Sequence, residues 1–120
     1  MKKDNVQVGF ALQGIRTEQF AIFEDNYAPS KETNLGTGVQ FKIDQENKLI
    51  GVFIGFEFAQ RKKVFLKIQV SCHFMVEENS WAALIENENS KLVVPKGFLA
   101  HLAMITIGTT RGVLFAKTES

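Results

Sequence analysis

Two histidines and one cysteine are the side chains with which this chain could most readily perform acid–base or nucleophilic chemistry. His73 directly follows Cys72 in the stretch VFLKIQVSCHFMV, whose alternating apolar residues predict a β-strand. Because successive side chains of a strand point to opposite faces, a Cys72–His73 dyad is geometrically poor. We interpret Cys72 as a buried core thiol and His73 as a surface or interface residue.

His101 falls in an apolar C-terminal segment that we interpret as a helix. No His, Cys, Asp or Glu stands three or four positions from it, the spacing at which a helix brings two metal ligands together. We therefore expect His101 to donate a hydrogen bond at an interface, and the sequence predicts no metal site. The remaining carboxylates of interest are interpreted as solvated loop charge, and they are Glu24, Asp25, Glu77, Glu78, Glu86 and Glu88.

The composition is that of a single globular domain. The 120 residues carry 14 Lys and Arg against 13 Asp and Glu, a net charge of +1, and show no basic stripe for nucleic acid. A lone cysteine favours a reducing compartment, and no apolar run follows the two lysines near the start as in a signal peptide. No window approaches the roughly 18 apolar residues of a membrane span. We expect one cytoplasmic domain, residues 1–120, that binds neither nucleic acid nor membrane.

Alternating apolar residues predict the strands. VQVGFAL, residues 6–12, places Val6, Val8 and Phe10 on one face, and a short extended piece follows at 20–24. A polar crossover loop is predicted from residue 24 to 38 because it is rich in Asn, Pro, Ser and Gly. Three longer strands, joined by the turns QEN and RKK, then form an antiparallel meander, and they are VQFKID (39–44), KLIGVFIGFEFAQ (48–60) and VFLKIQVSCHFMV (64–76).

The segment before the C-terminal helix and the helix itself need more interpretation. Trp81 to Ile85 fits either a helical turn capped by Ser80 or a loop packed by its tryptophan. The following helix starts at Pro95, which a first turn tolerates, and we expect Gly112 to end it. The sequence therefore predicts an α+β fold, a four-stranded antiparallel sheet with one long C-terminal helix.

Both the sheet and the helix carry more apolar surface than one copy can cover. The strand at 48–60 is apolar on both faces, which is typical of a strand covered on both faces. Between Pro95 and Thr110 the helix has only Lys96 and His101 as ionisable residues, so we expect it to be covered on most sides. A second subunit is the simplest cover. The residues that we expect at this interface are Phe98, Leu102 and Ile105.

The order of these elements resembles the SecB export-chaperone family. The matching stretches are FALQGIRTEQFAIFEDN, VQFKID and VVPKGFLAHLAMITIGTTRGVL, and the sharpest piece is Thr110-Arg111-Gly112, which we place after the helix. Family members continue into a further helix and an acidic tail that engages the translocase motor, whereas this chain ends at FAKTES and lacks a strongly acidic sheet surface. A relative of SecB that serves other clients, such as a toxin–antitoxin chaperone, fits this departure.

The resemblance implies a four-stranded antiparallel sheet with helical cover, assembled as a dimer or dimer of dimers with helices packed between sheets. It implies ATP-independent capture of unfolded or partly folded polypeptides in long hydrophobic grooves, with no reaction and no cofactor. Four phenylalanines that do not fit the main core face are our candidates for client binding, and they are Phe20, Phe23, Phe53 and Phe65.

Two other functions stay open at this point. One is an α+β domain that binds a small apolar ligand between helix and sheet, which predicts a closed pocket within one subunit. The other is an enzyme that uses His73 or His101 with a loop carboxylate, although no Ser, Thr or Lys has an activating partner in the sequence. We predict a chaperone-like binding protein rather than an enzyme.

Overall fold

The computed structural model describes residues 8–86 and 91–119. They form an α+β fold in which a four-stranded antiparallel sheet, in the order β1-β4-β3-β2, carries a long C-terminal helix on one face. The small two-stranded sheet β5-β6 precedes this helix. The elements are β1 (Phe10–Ile22), a 3-10 turn (Glu24–Asn26), β2 (Asn34–Asp44), β3 (Leu49–Gln60), β4 (Lys63–Val76), α1 (Glu78–Ala83), β5 (Ile85–Glu86), β6 (Lys91–Leu92) and α2 (Lys96–Thr118).

Strand β1 corrects the prediction of two separate extended pieces. Its 13 residues pair with β4 along their whole length, with irregularities between Leu12 and Gly14 and between Thr17 and Gln19. Each irregularity inserts one extra residue, a β-bulge, and so moves the following side chains back to the same face. Side chains that follow one another at steps of two, three, two, three and two residues along β1 therefore share one face, as their cross-strand partners show. These residues are Phe10, Leu12, Ile15, Thr17, Phe20 and Ile22.

The central strands form the core under α2. Cys72 is fully buried in the inner row of β4, as predicted, and Ile50, Val52 and Ile54 are fully buried in the inner row of β3. Helix α2 contacts both strands and presents a fully buried stripe at every fourth position. Leu102, Thr106 and Thr110 form that stripe, and the hydroxyls of the two threonines donate to helix carbonyls at 2.8 and 2.7 Å.

Strand β2 begins earlier, and helix α2 ends later, than the sequence predicts. Strand β2 begins at Asn34, inside the predicted crossover loop, because Asn34 pairs with Ala59 of β3. Helix α2 continues through Gly112 to Thr118 instead of ending there. A glycine stop needs left-handed backbone geometry, and no glycine in the described ranges has a positive φ angle. Val113 and Leu114 still pack against the core, and this packing supports the extra turns.

Helix α1 begins earlier than predicted. It spans Glu78–Ala83, Glu77 is its N-cap, and Trp81 is buried within it. Ser80 is not a cap, since it lies inside the helix and its hydroxyl accepts a hydrogen bond from the Gly9 amide at 2.8 Å. Val6 and Glu88, which the sequence placed in a strand and a loop, lie outside the described residues.

Candidate binding surface

The helix-side face of β2 is an uncovered apolar surface. Val39, Phe41 and Ile43 lie opposite Ile54, Val52 and Ile50 of β3, so the two rows share one face of the sheet. Residues of the β3 row are completely buried, whereas those of the β2 row are 37–49% exposed. A helix about 10 Å wide covers two strands spaced about 4.8 Å apart but not a third. The alternation of VQFKID predicts that Val39, Phe41 and Ile43 point inward, which is right for the face of the sheet but wrong for burial. We name the β2 stripe for Leu35, Val39, Phe41 and Ile43.

A second apolar surface lies on the other side of α2. Leu12, Ile15 and Ile22 of β1 are each about half exposed, and their cross-strand partners in β4 lie on the helix-side face. We name these residues the β1 stripe. Helix α2 thus runs between two apolar stripes that belong to the two edge strands of the sheet.

The outer face of α2 is also largely apolar. Met104 and Phe115 are 70% and 69% exposed, and Ala100, Gly108 and Gly112 are exposed beside them. No other atoms lie within 4 Å of the position that a Cβ would occupy at Gly108 or Gly112, so this face is open to close approach. The prediction that no window approaches a membrane span was wrong, because this helix is long and apolar enough to cross a membrane by length and composition only, with 17% of its most apolar window buried. Its inner stripe is packed on the sheet.

The four phenylalanines predicted to bind clients do not lie on one surface. Phe20 is half-buried on the helix-side face, where the Lys117 ammonium lies 5.5 Å from its ring centroid. Phe53 lies on the opposite face of the sheet, which we call the open face, with the Lys42 ammonium 4.6 Å from its ring centroid. A single client segment on one face therefore cannot contact both rings.

Phe23 and Phe65 are brought together beside the crossover loop. The Phe23 amide donates to the Phe65 carbonyl at 2.7 Å, and the Phe23 side chain is half-exposed. The Phe65 ring is half-buried against Tyr27 and Phe58, with centroids 4.9 and 6.3 Å away. This aromatic cluster lies at the end of the sheet where β1 ends and the crossover loop begins.

Gln60 holds the crossover loop in place, and the sequence analysis did not identify it. Gln60 is buried, with only 3% of its surface exposed. Its side-chain amide nitrogen donates to the Ala28 carbonyl at 3.0 Å and to Thr33 Oγ1 at 3.2 Å. Its amide oxygen accepts from the Ala28 backbone at 2.8 Å. A polar residue at the end of the apolar β3 was the one signal that could have indicated this role.

The three residues predicted at an oligomer interface point toward the sheet of their own subunit. Leu102 is completely buried in the core and has no surface left for another copy. Phe98 and Ile105 are half-buried against the same core, and Phe98 packs edge-on against Phe10 at 5.5 Å. The surface of α2 that another copy can reach is instead the outer face, with Met104 among its residues.

The two histidines occupy different environments. His101 is exposed on α2 with its ring edge-on to Phe10 at 5.9 Å. His73 lies on the open face, where its Nε2 is 2.9 Å from Ser71 Oγ, and the Ser71 hydroxyl donates to Glu18 at 2.6 Å. Cys72 faces the opposite side, so no Cys–His dyad forms. Within residues 8–86 and 91–119, no group of three or more His, Cys, Asp or Glu could hold a metal ion.

Comparisons of the chain with models of known protein families and with curated protein sequences give no match. The functional interpretation therefore depends on the surfaces described above.

Proposed function

We propose that this protein is an ATP-independent chaperone that holds unfolded or extended polypeptides on the apolar surfaces beside α2, as a SecB-like homo-oligomer. The observation that carries this proposal is the pair of stripes. The two stripes contain seven apolar side chains that are 37–56% exposed, although they lie on the same face as the buried core. Contiguous exposed apolar surface of this kind commonly marks a site of protein interaction.

The physical driving force is the removal of client apolar surface from water. Burial of about 300 Å² of apolar area contributes roughly 7 kcal/mol before the entropy of ordering the client is subtracted. The β2 stripe suits an extended client because its side chains repeat every second residue, which is the period of an extended chain. The free edge of β2 adds backbone groups that a client strand can pair with regardless of its sequence.

A second copy of the chain is the partner that we propose for the outer face of α2. Exposed Gly108 and Gly112 allow two helix backbones to approach closely, and Met104 and Phe115 supply apolar area to bury. The fold supports the proposal, since a four-stranded antiparallel sheet with helical cover is what the SecB resemblance implies. A dimer or dimer of dimers, a cytoplasmic location and the absence of nucleic-acid or membrane binding stay predictions.

The test combines oligomer size with suppression of client aggregation. We expect the wild-type chain to be oligomeric and to delay aggregation of a chemically unfolded client without ATP. The double variant Val39→Ser, Phe41→Ser removes apolar surface from the centre of the β2 stripe and should lose most of this effect. Met75→Ser is the matched control, because Met75 is an equally exposed apolar residue on the open face.

Two results would contradict the proposal. One is a monomeric wild-type chain that does not delay aggregation. The other is a double variant with the same oligomer size and the same holding activity as the control. The alternative of a small apolar ligand between helix and sheet has less support, since Leu102, Thr106 and Thr110 of α2 are completely buried at that interface.

A further inference from the structure

The open face of the sheet contains a small pocket that the proposed function does not use. It has a volume of about 210 Å³ and lies between β2, β3 and β4, on the side opposite α2. Its lining is mixed, because it combines two aromatic rings, two aliphatic residues, two charged residues and a glycine. The lining residues that matter here are Lys42, Asp44, Leu49, Gly51, Phe53 and His73.

Gly51 forms the floor of the pocket. A Cβ at this position would lie 3.2 Å from the Phe53 ring and 3.3 Å from His73 Nδ1, closer than side chains ordinarily approach. The absence of a side chain lets the two rings meet edge-to-face over the backbone, with centroids 5.7 Å apart and planes at 87°. The same absence leaves room for a small group between the rings and Leu49.

Hydrogen bonding fixes which nitrogen of His73 carries a proton. Ser71 has one hydroxyl proton, and it is donated to the Glu18 carboxylate at 2.6 Å. The Ser71 oxygen must therefore accept from His73 Nε2 at 2.9 Å, so that Nε2 is the protonated nitrogen of the neutral ring. Nδ1 is the nitrogen beside Gly51, and it gains a proton only when the ring becomes cationic. The second bulge of β1 allows the hydrogen bonds from His73 through Ser71 to Glu18, because it inserts Glu18 between Thr17 and Gln19.

The rim of the pocket carries one charged group of each sign, Lys42 and Asp44. The Lys42 ammonium lies above Phe53 at 4.6 Å and is part of the pocket lining. The Asp44 carboxylate is already engaged, since its oxygens accept from the Asn47 backbone at 3.1 Å and the Asn47 side chain at 2.9 Å. Lys42 and cationic His73 are therefore the two donors that face an incoming ligand.

We propose that this pocket binds the carboxylate of a small apolar acid, with the apolar group against Phe53 and Leu49 and the carboxylate between Lys42 and His73. A free acid and the C-terminal residue of a polypeptide both offer a carboxylate next to an apolar group, so either one fits the pocket. The charged groups around the His73 ring are Glu18 and Arg16 of β1 and Lys42 and Asp44 of β2. The residues of β3 beside the ring are Gly51 and Phe53, which carry no charge.

The test is a titration of the full chain, monitored at the His73 ring by NMR, with two carboxylate probes. Benzoate represents a free acid, and acetyl-Gly-Phe represents a polypeptide end. Benzamide and acetyl-Gly-Phe-amide are the neutral controls. We expect at least one carboxylate to bind with an affinity of about millimolar and its amide to bind about tenfold more weakly. Binding of benzoate alone assigns the site to free acids, and binding of the peptide alone assigns it to polypeptide ends.

Three variants sharpen the test. Lys42→Met should weaken binding about tenfold by removing a charge-assisted hydrogen bond. Asp44→Asn keeps an acceptor for Asn47 and removes a negative charge from the rim, so it should tighten binding. Lys67→Met is the control on the same face, where Lys67 pairs with Glu57 at 3.3 Å. Equal binding of acids and amides, no binding of either acid, or weaker binding by Asp44→Asn would overturn the proposal.

Discussion

Strands β2 and β3 present the same kind of apolar row to the same face of the sheet, and only one row is covered. Ile43 and Ile50 are direct cross-strand partners, yet Ile43 is 41% exposed and Ile50 is completely buried. Neither residue type nor alternation distinguishes them. The difference arises because α2 is wide enough to cover β3 and β4 and leaves the edge strands open.

The comparison teaches that one alternating pattern can serve two purposes. Where the helix covers the apolar row, the row becomes part of the core and its burial stabilises the fold. Where the helix does not reach, the same pattern leaves apolar surface free for a partner. In the proposed function the β2 stripe remains exposed because a client, and not the subunit's own helix, is meant to cover it.

The largest expected effect comes from the matched pair Ile50→Ala and Ile43→Ala. Ile50→Ala leaves a cavity in the core and should lower the free energy of unfolding by about 2–5 kcal/mol. Ile43→Ala removes surface that water already reaches and should cost less than about 1 kcal/mol, while weakening client binding. Urea unfolding and the aggregation assay measure the two effects. Equal losses of stability would mean that the β2 stripe is covered in solution.

Much of the fold follows from the sequence, because strands with one buried face keep a period of two. The predicted bounds of β3 and β4 differ from the observed ones by one residue at their starts and agree at their ends. Strand β1 could not be predicted as one element, since its bulges break the alternation and only pairing with β4 shows that Gln13 and Glu18 are extra residues.

The binding surfaces were harder to predict than the elements. Exposure of the β2 stripe depends on the width and position of α2, which no local pattern encodes. The predicted client-binding residues Phe20 and Phe53 fall on opposite faces, because Phe20 pairs with Ile68 in the inner row of β4 and Phe53 pairs with Ser71 in its outer row. The link from Glu18 through Ser71 to His73 joins residues 53 positions apart in the chain, so it follows from strand pairing alone.

A second prediction concerns the loop that leads into β2. Gln60→Leu removes the side-chain bonds to Ala28 and Thr33 and leaves the partly buried backbone groups of Ala28 without these partners, which should cost about 1–3 kcal/mol. Hydrogen exchange at the Ala28 amide should become faster, because that amide donates to Gln60. Gln69→Leu, on the open face, is the control and should not change this exchange. Unchanged protection at Ala28 in Gln60→Leu would show that the loop is held by other contacts.

A smaller effect is expected at the turn between the covered strands β3 and β4. Arg61 and Lys62 form a two-residue hairpin turn with positive φ angles of 50° and 67°, which bulky side chains adopt reluctantly. The double substitution Arg61→Asn, Lys62→Gly matches this geometry and should raise the free energy of unfolding by about 1 kcal/mol. Lys63→Gly, one residue later in extended β4, should lower it. Thermal unfolding gives both signs, and a loss of stability in the double variant would contradict the assigned turn geometry.

The smallest expected effect lies at the other hairpin, where the exposed strand β2 turns into β3. Hydrogen bonds from the Asn47 side chain, and then from its backbone, hold the pKa of Asp44 below its ordinary value of 3.8. A carboxyl group whose pKa is lower in the folded state stabilises the fold above its ordinary pKa and loses that contribution as the pH falls through the lower, folded value. Asn47→Ala should therefore move the Asp44 pKa upward, in an NMR titration of its carboxyl carbon, and flatten the decline of the melting temperature below about pH 4. Because Asp44 is fully exposed, the stability change is small, and the titration is the decisive measurement. An unchanged Asp44 titration in the variant would show that the Asn47 side chain does not hold this turn.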